Sequence, residues 1–95
     1  MKFPLAQPIQ AHGVELDELT LREPTGEDIE ACKGLPYFIG DGEAIVINGP
    51  VALKFIARCA DIPPSSVRQI AVGDLNNLCW WVAGFFLNQG AKKPS

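Results

Sequence analysis

Any covalent or metal chemistry in this chain would have to start from three cysteines, Cys32, Cys59 and Cys79, and a single histidine, His12. Thiolates and imidazoles are the usual nucleophiles and soft-metal ligands, and a neighbouring base is the usual way to activate a thiol. No CxxC spacing is present, and a zinc site would need a fourth ligand that the spacing does not supply. Each cysteine falls in what reads as a helix, whereas His12 precedes Gly13 in a turn. The expectation is therefore buried, reduced thiols of a cytoplasmic protein. The acidic trio Glu27, Asp28 and Glu30 follows Thr25 at the start of a helix. There it serves the helix dipole and a capping box better than acid–base catalysis. "GDG" at 40–42 lacks the lysine and the strand-to-helix setting of a phosphate loop. No catalytic residue, cofactor or metal site is assigned, and the protein is expected not to be an enzyme.

The residues left with something to do are aromatic. "LCWWVAGFFL", Leu78 to Leu87, carries no charge. It is half the length of a membrane span, which needs about twenty residues, and Asn76, Asn77, Asn88 and Gln89 bracket it. On a helix, Leu75, Leu78, Cys79, Val82, Phe85 and Phe86 share one face and form a core stripe. Trp80 and Leu87 project from the other side, Trp81 flanks the stripe, and Ala83 and Gly84 lie between them. A water-exposed helix face normally carries Glu, Lys or Arg. An aromatic, uncharged one next to small residues suits a protein contact. Trp80, Trp81, Ala83, Gly84 and Leu87 are the candidate protein-binding residues, and Trp80 also makes self-association an expectation.

These residues need a scaffold, and the pattern supplies one. "FPLAQPIQAHGVELDELTLREP" predicts a β-hairpin turning at His12-Gly13, with a bulge or bend near Asp17-Glu18. Pro4 and Pro8 confine the first strand to an edge. "PTGEDIEACKG" predicts a short helix capped by Thr25 and stopped at Lys33-Gly34. "LPYFIGDGEAIVING" predicts either a second small hairpin or a strand at Ala44 to Ile47 joining the first. "NGPVALKFIARCAD" predicts a helix with Pro50 in its first turn, Val51, Ala52, Phe55, Ile56 and Cys59 inward, and Lys54 and Arg58 opposite. A helical turn follows over "PSSVRQI", and Asp74 is expected to cap the last helix. The fold class is α+β: an N-terminal hairpin, with a third short strand in one reading, packed on three to four helices.

At 95 residues the chain supports one domain, placed at residues 1–87, with 88–95 as a flexible tail. A net charge of −3, with only Lys92 and Lys93 adjacent among the bases, argues against non-specific binding to nucleic acid or membrane. The opening "MKFPLAQPIQ" is broken by Pro4 and Pro8 and is not expected to be a signal peptide.

The order of the motifs adds a resemblance. "LREPTGEDI", "IPPSSV" and the Asp74-to-Phe86 helix resemble the phage tail assembly chaperones of Mu-like and P2-like contractile-tailed phages and prophages, over about Gly13 to Leu87. The resemblance implies a non-enzymatic protein of the bacterial host cytoplasm, absent from the finished virion. Its implied partner is the tape measure protein, kept soluble until tail tube subunits polymerise around it. The tail tube protein and a frameshift-extended form of the same chain are further candidate partners; "GAKKPS" is compatible with an adenine-rich slippery run. Two rival readings stand beside it. "ALKFIARCADIPPSSVRQI" has the cadence of a helix–turn–helix DNA-binding regulator, although Arg68 and Gln69 would be nearly all it offered to bases. A structural tail or baseplate component would share the phage setting.

Overall fold

The computed structural model describes the backbone of residues 1–91 and the side chains through Leu87. The chain begins with β1 (Lys2–Ala11) and β2 (Val14–Thr20), an antiparallel hairpin. His12 and Gly13 both take positive φ, 54° and 77°, the geometry a two-residue hairpin turn requires. Registry runs from Ala11↔Val14 to Ile9↔Leu16, breaks, and resumes at Pro4↔Glu18. Five steps along β1 thus oppose two along β2, so the expected irregularity is present opposite Asp17, with its extra residues on the β1 side. The break lets Ile9, Ala11 and Leu19 all point into the core, at 1%, 3% and 1% exposure.

Next come α1 (Gly26–Cys32), β3 (Tyr37–Ile39) and β4 (Ile45–Ile47). Of the two expectations for this stretch, the hairpin is the one observed. β3 pairs with β4 in a separate two-stranded sheet, and neither joins the first. α2 (Gly49–Ala60), α3 (Pro64–Val67) and α4 (Val72–Ala91) complete the chain, which is α+β as expected. α2 ends with Asp61 in the left-handed conformation, and α3 starts with Pro64 in its first turn. The expected tail at 88–95 meets α4 as far as Ala91; beyond that it lies outside the described residues.

α2 is the spine of the core. Ala52, Phe55, Ile56 and Cys59 are all buried on it, and it packs against α4, α3, α1 and β2. Phe55 is fully buried and meets Phe86 of α4 edge-to-face, with ring centroids 5.6 Å apart. Tyr37 of β3 reaches the same Phe86 at 6.3 Å, which seats the second hairpin against the helix pair.

Polar bonds fix the two ends of this assembly. Along β1, the backbone is held by side chains from the C-terminal half rather than by a third strand. Ser66 donates its hydroxyl to the Gln10 carbonyl at 2.6 Å, and the Gln69 amide oxygen accepts from the Gln10 N–H at 2.7 Å. Asp74 accepts from the Ala6 N–H at 2.7 Å. This corrects the capping role expected of Asp74. α4 starts earlier, at Val72, and the Asp74 carboxylate is engaged by the strand.

At the other end, Asp28 is completely buried. Its Oδ2 accepts from the Thr25 N–H at 2.8 Å, the capping bond expected of it. In addition, Arg22 grips both oxygens, at 2.8 and 2.9 Å, and Arg58 of α2 donates through Nε at 2.6 Å. The Arg22 hydrogen bond, opposed by burial and reinforced by Arg58 and Thr25, holds the carboxyl well below the usual carboxylate range.

Asp28→Ala leaves two half-exposed guanidiniums facing a vacated pocket and should cost about 3 kcal/mol, the lower end for a broken buried pair. Thermal denaturation should show a melting temperature lower by roughly 10–20 °C; a loss of only a degree or two would contradict this role. The pH dependence has a definite sign. A carboxyl depressed in the folded state contributes fully above its unfolded pKa, about 4, and loses that contribution as pH falls toward the folded value. Stability should therefore decline below about pH 4, and more steeply for the wild type than for Asp28→Asn.

Candidate functional site

α4 carries the candidate surface, and its buried arc is wider than the stripe drawn from periodicity. Leu78 and Val82 are fully buried and Cys79 nearly so, while Leu75 and Phe86 are partly buried against them. Ala83 also has no exposed surface. This corrects its placement on the outer face: α4 is covered from more than one side, by α2 and by β4, and a methyl side chain fits where the helix runs close to its neighbours. Ala83 is core and is not available to a partner.

Trp81 flanks the stripe. It packs on the core and lies edge-to-face with Phe85 one turn on, the centroids 4.9 Å apart. Gly84 and Leu87 are half-buried. Trp80 is different: 44% of it is exposed, so this indole is not sealed inside the monomer. Leu87 follows seven residues later, nearly two turns, and so lies on the same side of the helix. The proposed set therefore divides into an outward Trp80, half-buried Gly84 and Leu87 on its side, an inward Ala83, and a flanking Trp81.

A second apolar exposure was not anticipated as a site. Phe38, Ile39 and Val46 of the small hairpin are exposed, with Leu35 just before it. Phe38 and Val46 are cross-strand partners, so they share one face, and the pairs Tyr37↔Ile47 and Ile39↔Ile45 flank them. The sequence did hold a signal for this. "YFIGDGEAIVI" has no polar residue alternating within either apolar run, and so short a hairpin cannot bury both of its faces.

The thiols are where the sequence placed them. Cys32, Cys59 and Cys79 are free and buried. Burial raises all three above the ordinary thiol value, Cys59 to about 11, so none is a thiolate near neutral pH. His12 donates through Nε2 to the Asp61 carbonyl at 2.8 Å, tying the hairpin turn to the end of α2. No group of three His, Cys, Asp or Glu side chains that could hold a metal occurs among the described residues. No helix among them is long and apolar enough to cross a membrane.

The helix–turn–helix cadence resolves into α2 and α3. α3 is only four residues long; of the two side chains expected to face bases, Gln69 is bonded to Gln10 of β1, as is the neighbouring Ser66, which leaves Arg68 alone on the surface. What remains is a packing unit that closes a strand edge.

This arrangement of hairpin, capped helix and aromatic final helix is also what family comparison picks out. The family described as "Phage tail assembly chaperone proteins, E, or 41 or 14" matches residues 2–87. The chain belongs to that family. No curated protein and no solved structure matches it at a significant level. The matched stretch takes in both hairpins and the helices as far as Leu87, so the whole packed unit lies inside it. Membership implies a protein partner in tail assembly.

A pair of substitutions separates the two roles on α4. Trp80→Ala should move the melting temperature by no more than a few degrees, since almost half of the indole is already in water. Ala83→Leu forces extra volume into a closed contact and should cost about 1–3 kcal/mol. Equal losses in the two variants would show that Trp80 belongs to the core.

Proposed function

We propose that this chaperone binds the tape measure protein of the tail and keeps it soluble in the bacterial cytoplasm until tail tube subunits polymerise around it. The protein then leaves and is absent from the virion. Its work is binding and not catalysis. The observation that carries this reading is the exposed Trp80 on an uncharged face of α4, in a chain of the tail assembly chaperone family. An aromatic anchor beside Leu87 suits an apolar helical segment laid against it. The apolar outer face of the β3–β4 hairpin offers further surface of the same kind. The net charge of −3 supports solubility while such surface is open.

Co-expression with the tape measure protein should give a complex that survives affinity purification, with more tape measure protein in the soluble fraction than when it is expressed alone. Trp80→Ala should weaken the complex about tenfold or more, as the loss of a central aromatic anchor does. Mass spectrometry of purified particles should find no copies of the protein. A Trp80→Ala variant that holds the tape measure protein as well as the wild type would remove α4 from the reading. Stoichiometric protein in finished particles would instead make it a structural component of the tail.

A further inference from the structure

The surface on the far side of Asp28 from α1's first turn is not an aromatic one. A groove of about 900 Å³ runs there between the end of β2, the last turn of α1 and the flank of α2. Leu21, Cys32, Ala57 and Ile62 give it an apolar lining. Arg22, Lys54 and Arg58 add cations, and Asp61 a carboxylate at the α2 end. Residues 1–91 contain six cations: Lys2, Arg22, Lys33, Lys54, Arg58 and Arg68. Half of them line this one groove. With Asp28 beneath and Asp61 beside them, three positive charges meet two negative ones, a net of +1 on a chain whose total is −3.

The cations are also prepared. Arg22 is clamped by both oxygens of Asp28, and Arg58 by Nε alone, so the Nη atoms of Arg58 have no protein partner among the described residues. Lys54 is exposed and makes no ion pair or hydrogen bond among them. A guanidinium already fixed in place loses little freedom when it takes up a ligand. Lys54 and Arg58 are four residues apart on α2, which sets them about 6 Å from each other on one side of the helix.

We propose that this groove is a docking site for an acidic amphipathic segment of the protein's partner. Its apolar face packs over Leu21, Ala57 and Ile62, and carboxylates spaced three or four residues apart meet Lys54 and Arg58. Charge complementarity and the apolar lining select that occupant over a basic segment or a free anion. The proposal rests on the reading of the tape measure protein as partner, and adds a polar, orienting contact to the aromatic one on α4. The segment of α2 concerned, residues 54 to 60, is about 9 Å long, which matches between one and two turns of a docked helix.

Overlapping fluorescent peptides covering the tape measure protein, titrated with the full-length chain and followed by anisotropy, test this. The peptides that bind should carry Asp or Glu beside an apolar face, and binding should weaken with added salt. Lys54→Glu should weaken it about five- to tenfold and flatten the salt dependence. Arg68→Glu, the same charge change on an exposed residue outside the groove, should leave the affinity unaltered. If Lys54→Glu and Arg68→Glu bind alike, or if basic peptides bind best, the groove is not the docking site, while the function proposed above stands. If the wild type binds neither the peptides nor the intact tape measure protein, that function falls and this site with it.

Discussion

The fold turns on one buried carboxylate. Asp28 sits at the first turn of α1 with no exposed surface, and it takes its donors from three places in the chain. Thr25 lies just before the helix, Arg22 follows β2, and Arg58 lies thirty residues further on in α2. A lone buried charge would cost several kcal/mol. Here both oxygens are saturated and both arginines keep part of their side chains in water, so only the carboxylate is fully desolvated. The carboxylate thus joins hairpin, α1 and α2 at one point, and no buried polar side chain among the described residues lacks a partner.

That junction matters because the rest of the scaffold is modest in size. The first hairpin has only two strands and would be marginal by itself. It is secured on one side by the Asp28 junction and on the other by Ser66, Gln69 and Asp74 bonded to the β1 backbone. These side chains also blunt the outer edge of β1, a task that Pro4 and Pro8 begin by removing N–H donors. The α2–α3 turn therefore matters for what it covers. Ser66 and Gln69 there are committed to a strand rather than to another molecule.

Much of this was legible in the sequence. His12-Gly13, Thr25 with Asp28, Pro50 and Pro63-Pro64 are local signals whose physics is contained within a few residues, and the elements they mark are present. What was not legible depends on distance along the chain. Arg22 and Arg58 look like ordinary surface bases until the fold brings them to one carboxylate, and Asp74 looks like a cap until β1 arrives beside it. Ala83 failed for a related reason. Helical periodicity gives the angle of a residue but not how many neighbours surround the helix, and a methyl side chain has no preference strong enough to reveal them. Trp80 was placed correctly because the helical angle alone sets it opposite Leu78 and Val82, the fully buried line of α4.

The same contrast between local and distant causes bears on how a small protein can expose apolar surface without sticking to itself. Trp80 stands in the interior of a helix, where the backbone donors are spent on the preceding turn, so its exposure offers side-chain area but no unpaired strand edge. The β3–β4 hairpin is the more hazardous surface, since Phe38 and Val46 lie on a two-stranded sheet with open edges. Each strand is only three residues long, and the connecting turn puts exposed Asp41 and Glu43 at its tip. Short strands offer too few backbone pairs to nucleate a ladder, and flanking carboxylates oppose the approach of another copy. A helical partner needs neither the edges nor the absence of charge at the tip. The geometry therefore leaves side-chain docking open while it restrains strand-to-strand growth, which is the discrimination that the proposed function requires.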